Sequence, residues 1–139
     1  MSDARRRFLL GGGACLFLPG CVIVRTYHGS VSGGFVAIDR AEFLRLAEDR
    51  RAIRVTADGL PEPVLLVETA GSFRAFSSTC THQQCEVRPS GGLLRCPCHG
   101  SAYDLEGEVV RGPAGKPLPT YPVRADEARI HLSVVPEIR

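Results

Sequence analysis

Apolar and polar positions fall into short runs along most of the chain, and the period turns helical only once. In "DRAEFLRLAED", from Asp39 to Asp49, Phe43, Leu46 and Ala47 recur at helical spacing, which predicts a helix of about two turns with those three on its buried face. Asp39 stands as its N-cap, and Glu42, three positions on, completes a capping box. Just upstream, "GFVAID", Gly34 to Asp39, has the composition of a short strand. From Arg51 onward the runs "AIRVTA", "VLLVET" and "FRAFS" are separated by turn residues, with Asp58 and Gly59 forming one turn and Pro61 and Pro63 limiting pairing. "AYDL", "GEVV", "YPVRA" and "RIHLSVV" continue the series. Alternation in the last places Ile130, Leu132 and Val134 on one side and His131 on the other, a solvent-facing strand residue. The pattern is an all-β meander with one short helix.

The N-terminal part follows a different logic. "RRRFLL", Arg5 to Leu10, precedes an apolar run and then "LPGC", Leu18 to Cys21, the layout of a bacterial export signal. Arg5, Arg6, Arg7, Phe8 and Leu9 resemble the twin-arginine pattern of a route that exports folded proteins. "LPGC" resembles a lipobox, which would make Cys21 the first mature residue and its site of lipidation; Pro19 is unusual inside such a box. An uncleaved anchor is the alternative, because Phe8 to Val24 is 17 residues without a charge, near the lower limit for a spanning helix. Ordinary signal cleavage is the third reading. The Gly and Ser content of Gly29 to Gly34 suits a tether, with His28 as a solvated residue within it. The expected organisation is a signal segment over 1–20, a flexible tether over 21–33 and one domain over 34–139.

Composition agrees with a single domain: 139 residues, 44% hydrophobic and 23% charged. The formal charge of +2 comes from the signal segment, since removing residues 1–20 leaves 14 basic and 14 acidic side chains. That balance lacks the basic footprint of a nucleic-acid binder.

The chemistry is concentrated in the cysteines and histidines. Cys15 and Cys21 belong to the N-terminal segment; Cys80, Cys85, Cys96 and Cys98 fall into two clusters, "CTHQQC" and "CPCH", which also hold His82 and His99. A structural zinc site would take four sulfur or nitrogen ligands from these six but would leave two cysteines spare. Two disulfides, which export permits, would leave both histidines without a purpose. A third arrangement accounts for all six. One cysteine and one histidine from each loop, Cys80 with His82 and Cys96 with His99, match the mixed ligation of a Rieske [2Fe-2S] centre, and Cys85 and Cys98 would then join the loops as a disulfide.

At these residues the chain resembles a known family. "CTH..C" followed by "CPCHGS" is similar to the Rieske iron–sulfur proteins of quinol-oxidising cytochrome bc complexes and to the small subunit of arsenite oxidase. The resemblance covers roughly residues 34–135 and implies a fold of stacked antiparallel sheets, with two cluster-binding loops at one tip. It also implies one [2Fe-2S] cluster per chain. Ser101 and Tyr103 take the positions of hydroxyl donors, to a bridging sulfide and to the Cys80 sulfur, that raise the potential in high-potential members. "RGPAGKPLPTYPV" resembles the proline loop that covers the cluster, with Gly112, Pro113 and Ala114 in place and Gly115 where a second proline is common.

The implied function is electron transfer by an exported, membrane-tethered protein to a periplasmic acceptor such as a c-type cytochrome, as a module or subunit and not a catalyst by itself. The iron-free ring nitrogens of His82 and His99 would couple a proton to the electron. Related alternatives are the iron–sulfur subunit of a quinol–cytochrome c reductase and the small subunit of an arsenite-oxidase-like molybdoenzyme; a non-redox zinc or disulfide domain is the alternative of another class. Gln83 and Gln84 stand where quinol-oxidising members usually begin with leucine, and the segment between His82 and Cys96 is a few residues shorter than theirs.

Overall fold

The computed structural model of the chain describes residues 23–137, so the arginine series, the apolar run, Cys15 and Cys21 lie outside it. The elements are β1 (Thr26–Ser32), β2 (Phe35–Asp39), α1 (Arg40–Ala47), β3 (Ala52–Asp58), β4 (Val64–Thr69), β5 (Ser72–Ser77), β6 (Arg88–Ser90), β7 (Leu93–Arg95), β8 (Ala102–Tyr103), β9 (Val109–Arg111), β10 (Thr120–Tyr121), β11 (Val123–Ala125) and β12 (Arg129–Ser133). They build an eight-stranded sheet in the order β10-β5-β4-β3-β1-β2-β12-β11 and a four-stranded sheet in the order β6-β7-β8-β9. The mostly-β expectation with one short helix holds. One pairing departs from the antiparallel expectation: β1 runs parallel to β3, with Tyr27 opposite Val55.

β4 organises the interior. Its four residues Val64 to Val67 are all at most 5% exposed, and the two faces of the strand enter different cores. Val64 and Leu66 join Ile38, Phe43, Ile53 and Leu132 in one. Leu65 and Val67 join Phe76, Leu94, Tyr103, Leu118, Cys80 and Cys96 in the other. A strand covered on both faces loses its alternation, which is why "VLLV" reads as a continuous apolar run. Each buried Leu contributes about 1.5–3 kcal/mol of apolar burial. α1 covers the first core with Phe43 and Ala47, and Phe43 meets Phe73 of β5 edge to face at 5.1 Å.

Two local expectations are corrected. Asp39 makes no side-chain cap; it sits at the end of β2 with its carboxylate 3.3 Å from Arg129, while Glu42 pairs with Arg45. Its strand pairing directs that side chain toward β12 and away from the helix amides.

The larger correction concerns residues 21–33, expected to be a tether: residues 26–32 are β1, in the interior of the large sheet. Glycine and serine obscured a real alternation. Tyr27, Gly29 and Val31 are half-buried, while His28, Ser30 and Ser32 are exposed. Tyr27 and Val31 pack on the first core, and His28 exchanges a 2.8 Å hydrogen bond with Thr56 of β3. Gly29 is required by close approach, since a Cβ there would lie 2.7 Å from Cγ1 of buried Val36 and 2.9 Å from the Tyr27 ring.

The strand assignment has a direct consequence. Gly29→Ala is expected to destabilise the domain by about 1–3 kcal/mol, the usual cost of overpacking, measured by urea denaturation. A free tether would accept the methyl group without change.

Candidate metal centre

The second core ends in three loops. The first runs from β5 to β6 and carries Cys80, His82 and Cys85. The second joins β7 to β8 and carries Cys96, Cys98 and His99. The third, from β9 to β10, holds Gly112, Pro113 and Ala114. The base of the first loop is fixed to the large sheet: Ser78 donates from its N–H and its hydroxyl to the Pro63 carbonyl at 3.0 and 2.9 Å. Glu62 beside it accepts from Ser77 at 2.5 Å and from buried Tyr121 at 2.8 Å. Burial, followed by the Glu62 carboxylate, pushes the Tyr121 hydroxyl well above its ordinary value, so it remains a donor.

The two cysteine loops are built alike. Cys80 N–H donates to the Cys85 carbonyl at 2.8 Å, and Gln84 N–H donates back to the Cys80 carbonyl at 3.0 Å. In the second loop Cys96 N–H donates to Ser101 at 2.8 Å, and Gly100 N–H donates to Cys96 at 3.1 Å. The fifth residue counted from Cys80 and from Cys96 has a left-handed backbone, φ +59° at Gln84 and +80° at Gly100. Only the second loop uses the residue that takes this conformation without steric cost.

This geometry separates the six sulfur and nitrogen candidates. Cys80 and Cys96 are free thiols, each 2% exposed. Cys85 and Cys98 form a disulfide with Cα atoms 6.3 Å apart, tying the first loop to the second. The Cys96 sulfur lies within 4.8 Å of both sulfurs of that bridge. His82 and His99 are exposed, with ring centroids 5.0 Å apart and planes at 86°. The fold therefore gathers two buried thiols and two surface imidazoles at one tip. His28 and His131 lie elsewhere, on β1 and β12; His131 is half-buried and 3.7 Å from Asp126.

Hydrogen bonding prepares the thiols unequally. Burial raises the Cys80 thiol, but the Tyr103 hydroxyl and the N–H groups of His82 and Gln83 outweigh it, and the group lies below its ordinary value. Burial also raises Cys96; the N–H groups of Cys98 and His99 offset this only in part and Cys80 adds to it, so this thiol lies above its ordinary value. Amide donors converging on both sulfurs suit thiolate ligands of a metal.

The hydroxyl groups fit a sulfur-rich occupant. Tyr103, fully buried, places its oxygen 3.3 Å from Cys80 Sγ. Ser101, equally buried, accepts from Ala114 N–H at 3.0 Å, and among the described residues no protein acceptor takes its own proton. A buried hydroxyl with an unclaimed proton is costly unless a further group receives it. The Ala114 contact also holds the covering loop down: Ala114 is buried, while Gly112 and Pro113 stay exposed.

Thr81 is the residue that sequence reasoning missed. Its hydroxyl lies 3.0 Å from the Tyr103 oxygen and donates at 2.8 Å to the Lys116 carbonyl, joining the first loop to the covering loop. Its N–H donates to the Tyr103 oxygen at 3.3 Å. A hydroxyl between two candidate ligands was the available signal, but its partners are 22 and 35 residues distant.

Comparison with known proteins gives a consistent pattern. The Rieske [2Fe-2S] domain family matches residues 36–122. The cytochrome b6-f complex iron-sulfur subunit of Chlorobaculum tepidum is 35% identical over 75 residues, 52% of this chain and 41% of that protein. That of Synechococcus sp. (strain JA-3-3Ab) is 36% identical over 93 residues, 63% of this chain and 54% of that protein. The chain thus spans about half the length of these relatives. Among solved structures, the cyanobacterial plasma membrane Rieske protein PetC3 from Synechocystis PCC 6803 is similar with TM-score 0.55 at 30% identity, over 63% of this chain and 90% of that one. The Sphingomonas yanoikuyae B1 ferredoxin, TM-score 0.53 at 21% identity over 60% of this chain and 84% of that one, shares the fold.

Because the bridge closes a loop with a sequence separation of 13 residues, its loss removes about 3 kcal/mol of chain-entropy stabilisation. Cys85→Ser combined with Cys98→Ser is expected to lower the thermal midpoint and to speed loss of the visible chromophore on heating, followed by absorbance and calorimetry.

Proposed function

The chain belongs to the Rieske [2Fe-2S] family and is an iron–sulfur electron-transfer protein related to cytochrome b6-f iron–sulfur subunits; from that premise we propose that it is an exported, membrane-tethered carrier passing single electrons to a periplasmic acceptor such as a c-type cytochrome. The observation that carries the reading is the division of donors at the tip, with two buried thiols beneath two exposed imidazoles. In this reading Cys80 and Cys96 would hold one iron and His82 and His99 the other. The cluster, when bound, supplies a one-electron centre whose potential depends on hydrogen bonds to its sulfurs.

The protein's own groups then have distinct tasks. The amides of His82, Gln83, Cys98 and His99 stabilise negative charge on the cysteine sulfurs. Tyr103 would donate to Cys80 Sγ, and the unclaimed Ser101 proton would be available to a sulfur of the bound cluster. The imidazoles keep one ring nitrogen each at the surface, where a partner can approach and a proton can be held. The loop with Gly112, Pro113 and Ala114 excludes water from the Ser101 side.

Export and tethering rest on the series Arg5 to Leu9 and on Cys21. Among the described residues no helix is long and apolar enough to cross a membrane. A second reading, the iron–sulfur subunit of a quinol-oxidising complex, draws support from the cytochrome b6-f relatives. Exposed Gln83 and Gln84 beside His82 favour a polar partner over an apolar quinone ring.

Reduced protein is expected to show the low average g-value of mixed Cys/His ligation by EPR; a colourless protein without that signal rejects the assignment. Tyr103→Phe and Ser101→Ala should each lower the midpoint potential, because a hydrogen bond worth about 1.4 kcal/mol more to the reduced state corresponds to roughly 60 mV for one electron. Unchanged potentials would contradict their roles. Mass spectrometry of the exported protein is expected to find Cys21 N-terminal and lipidated; a retained N-terminus would assign the uncleaved anchor instead.

A further inference from the structure

Most arginines on the described surface hold a carboxylate. Arg25, Arg45, Arg51, Arg74 and Arg129 are each in an ion pair, and Arg54 and Arg88 share Glu86. Arg50, Arg95, Arg111 and Arg124 are exposed, and no carboxylate pairs with any of them among the described residues; of these four, Arg95 and Arg111 belong to the four-stranded sheet.

Strand register brings these two together. Arg88 is opposite Arg95, Arg95 opposite Ala102 and Ala102 opposite Arg111, forming one row across the four-stranded sheet. Opposed residues share a face. The neighbouring row contains Leu94 and Tyr103, both 0% exposed in the second core, so Arg95 and Arg111, both exposed, extend from the opposite face on either side of Ala102, which is itself buried. Two strand spacings put Arg95 and Arg111 roughly 10 Å apart. Like charges directly opposite, as Arg88 and Arg95 are, disfavour a ladder.

The row adjoins the electron-transfer tip. Arg95 immediately precedes Cys96, and Ala102 immediately follows Ser101. Lys116, another exposed cation without a carboxylate partner among the described residues, flanks the other loop, its carbonyl bonded to Thr81 next to His82. With 14 basic and 14 acidic side chains, the part of the chain after residue 20 has no net charge to steer a partner, so orientation must come from local charge.

We propose that Arg95 and Arg111 form a docking surface for a redox partner protein that presents clustered carboxylates, aligning it against the imidazoles of His82 and His99. This rests on the electron-transfer reading above. Two guanidinium forks bind carboxylates with directional, paired hydrogen bonds, and their effect falls on association rate more than on the potential. A protein is the favoured occupant because the row flanks the imidazoles through which electrons would leave, where phosphate headgroups could accept none.

The test uses the reduced holoprotein in stopped-flow oxidation by two probes, an acidic plastocyanin and the basic mitochondrial cytochrome c, at low and physiological ionic strength. The wild type should react faster with plastocyanin at low salt and lose about threefold or more of that rate as salt rises. Arg95→Glu with Arg111→Glu should abolish this salt dependence while leaving the EPR spectrum unchanged; the milder Arg95→Gln with Arg111→Gln should fall between. Equal kinetics and salt response in wild type and variants overturn the proposal. So does co-sedimentation with phosphatidylglycerol vesicles that the substitutions remove without altering plastocyanin kinetics, which assigns the row to lipid headgroups. Absence of the wild-type EPR signal rejects the electron-transfer reading itself, whereas a normal signal with salt-independent kinetics rejects the docking surface alone.

Discussion

Four consecutive side chains of β4 are withdrawn from water on alternating faces of one sheet, and this joins two cores through a single strand. One core, closed by α1, β2 and β12, is an ordinary hydrophobic interior. The other includes the thiols of Cys80 and Cys96 among its buried groups, so the two free sulfurs are set into packed structure. Interiors of this density transmit small displacements poorly absorbed elsewhere, and a ligand seated in one inherits its rigidity.

The loops divide labour between backbone and side chain. Matching amide–carbonyl closures shape both cysteine loops, the Cys85–Cys98 bridge sets their separation, and the hydroxyls of Thr81, Ser101 and Tyr103 connect them to the covering loop. Tyr103 is shared: its oxygen is within reach of both Cys80 Sγ and Thr81 Oγ1, and it has one proton. Because Thr81 gives its own proton to the Lys116 carbonyl, the single Tyr103 proton is divided between Thr81 Oγ1 and Cys80 Sγ. The covering loop and the Cys80 sulfur are thereby linked through one hydroxyl.

What could be read in the sequence followed from how local each signal was. The Cys and His spacings identified the two loops because the chemistry lies within a few residues. β3, β4, β5 and β12 were visible because β-branched and aromatic residues fill a pleated, buried surface. β6 and β7 escaped notice, being three residues each around a Gly91–Gly92 turn. β1 was misread because Gly29 and the serines were weighed by composition, whereas alternation carried the information. Thr81 and Asp39 depend on partners contributed by distant segments, Lys116 and Arg129, and no local pattern announces these.

The large sheet is completed by its most distant parts. β2 pairs with β12, Ile38 lying opposite Ile130 about ninety residues later, and the strands of the second core occupy the interval. A chain emerging from the ribosome would hold β2 with one edge unsatisfied until β12 had been made. Completion of the large sheet therefore waits on β12, and until that strand is made one of the earliest strands of the domain is left unsheltered.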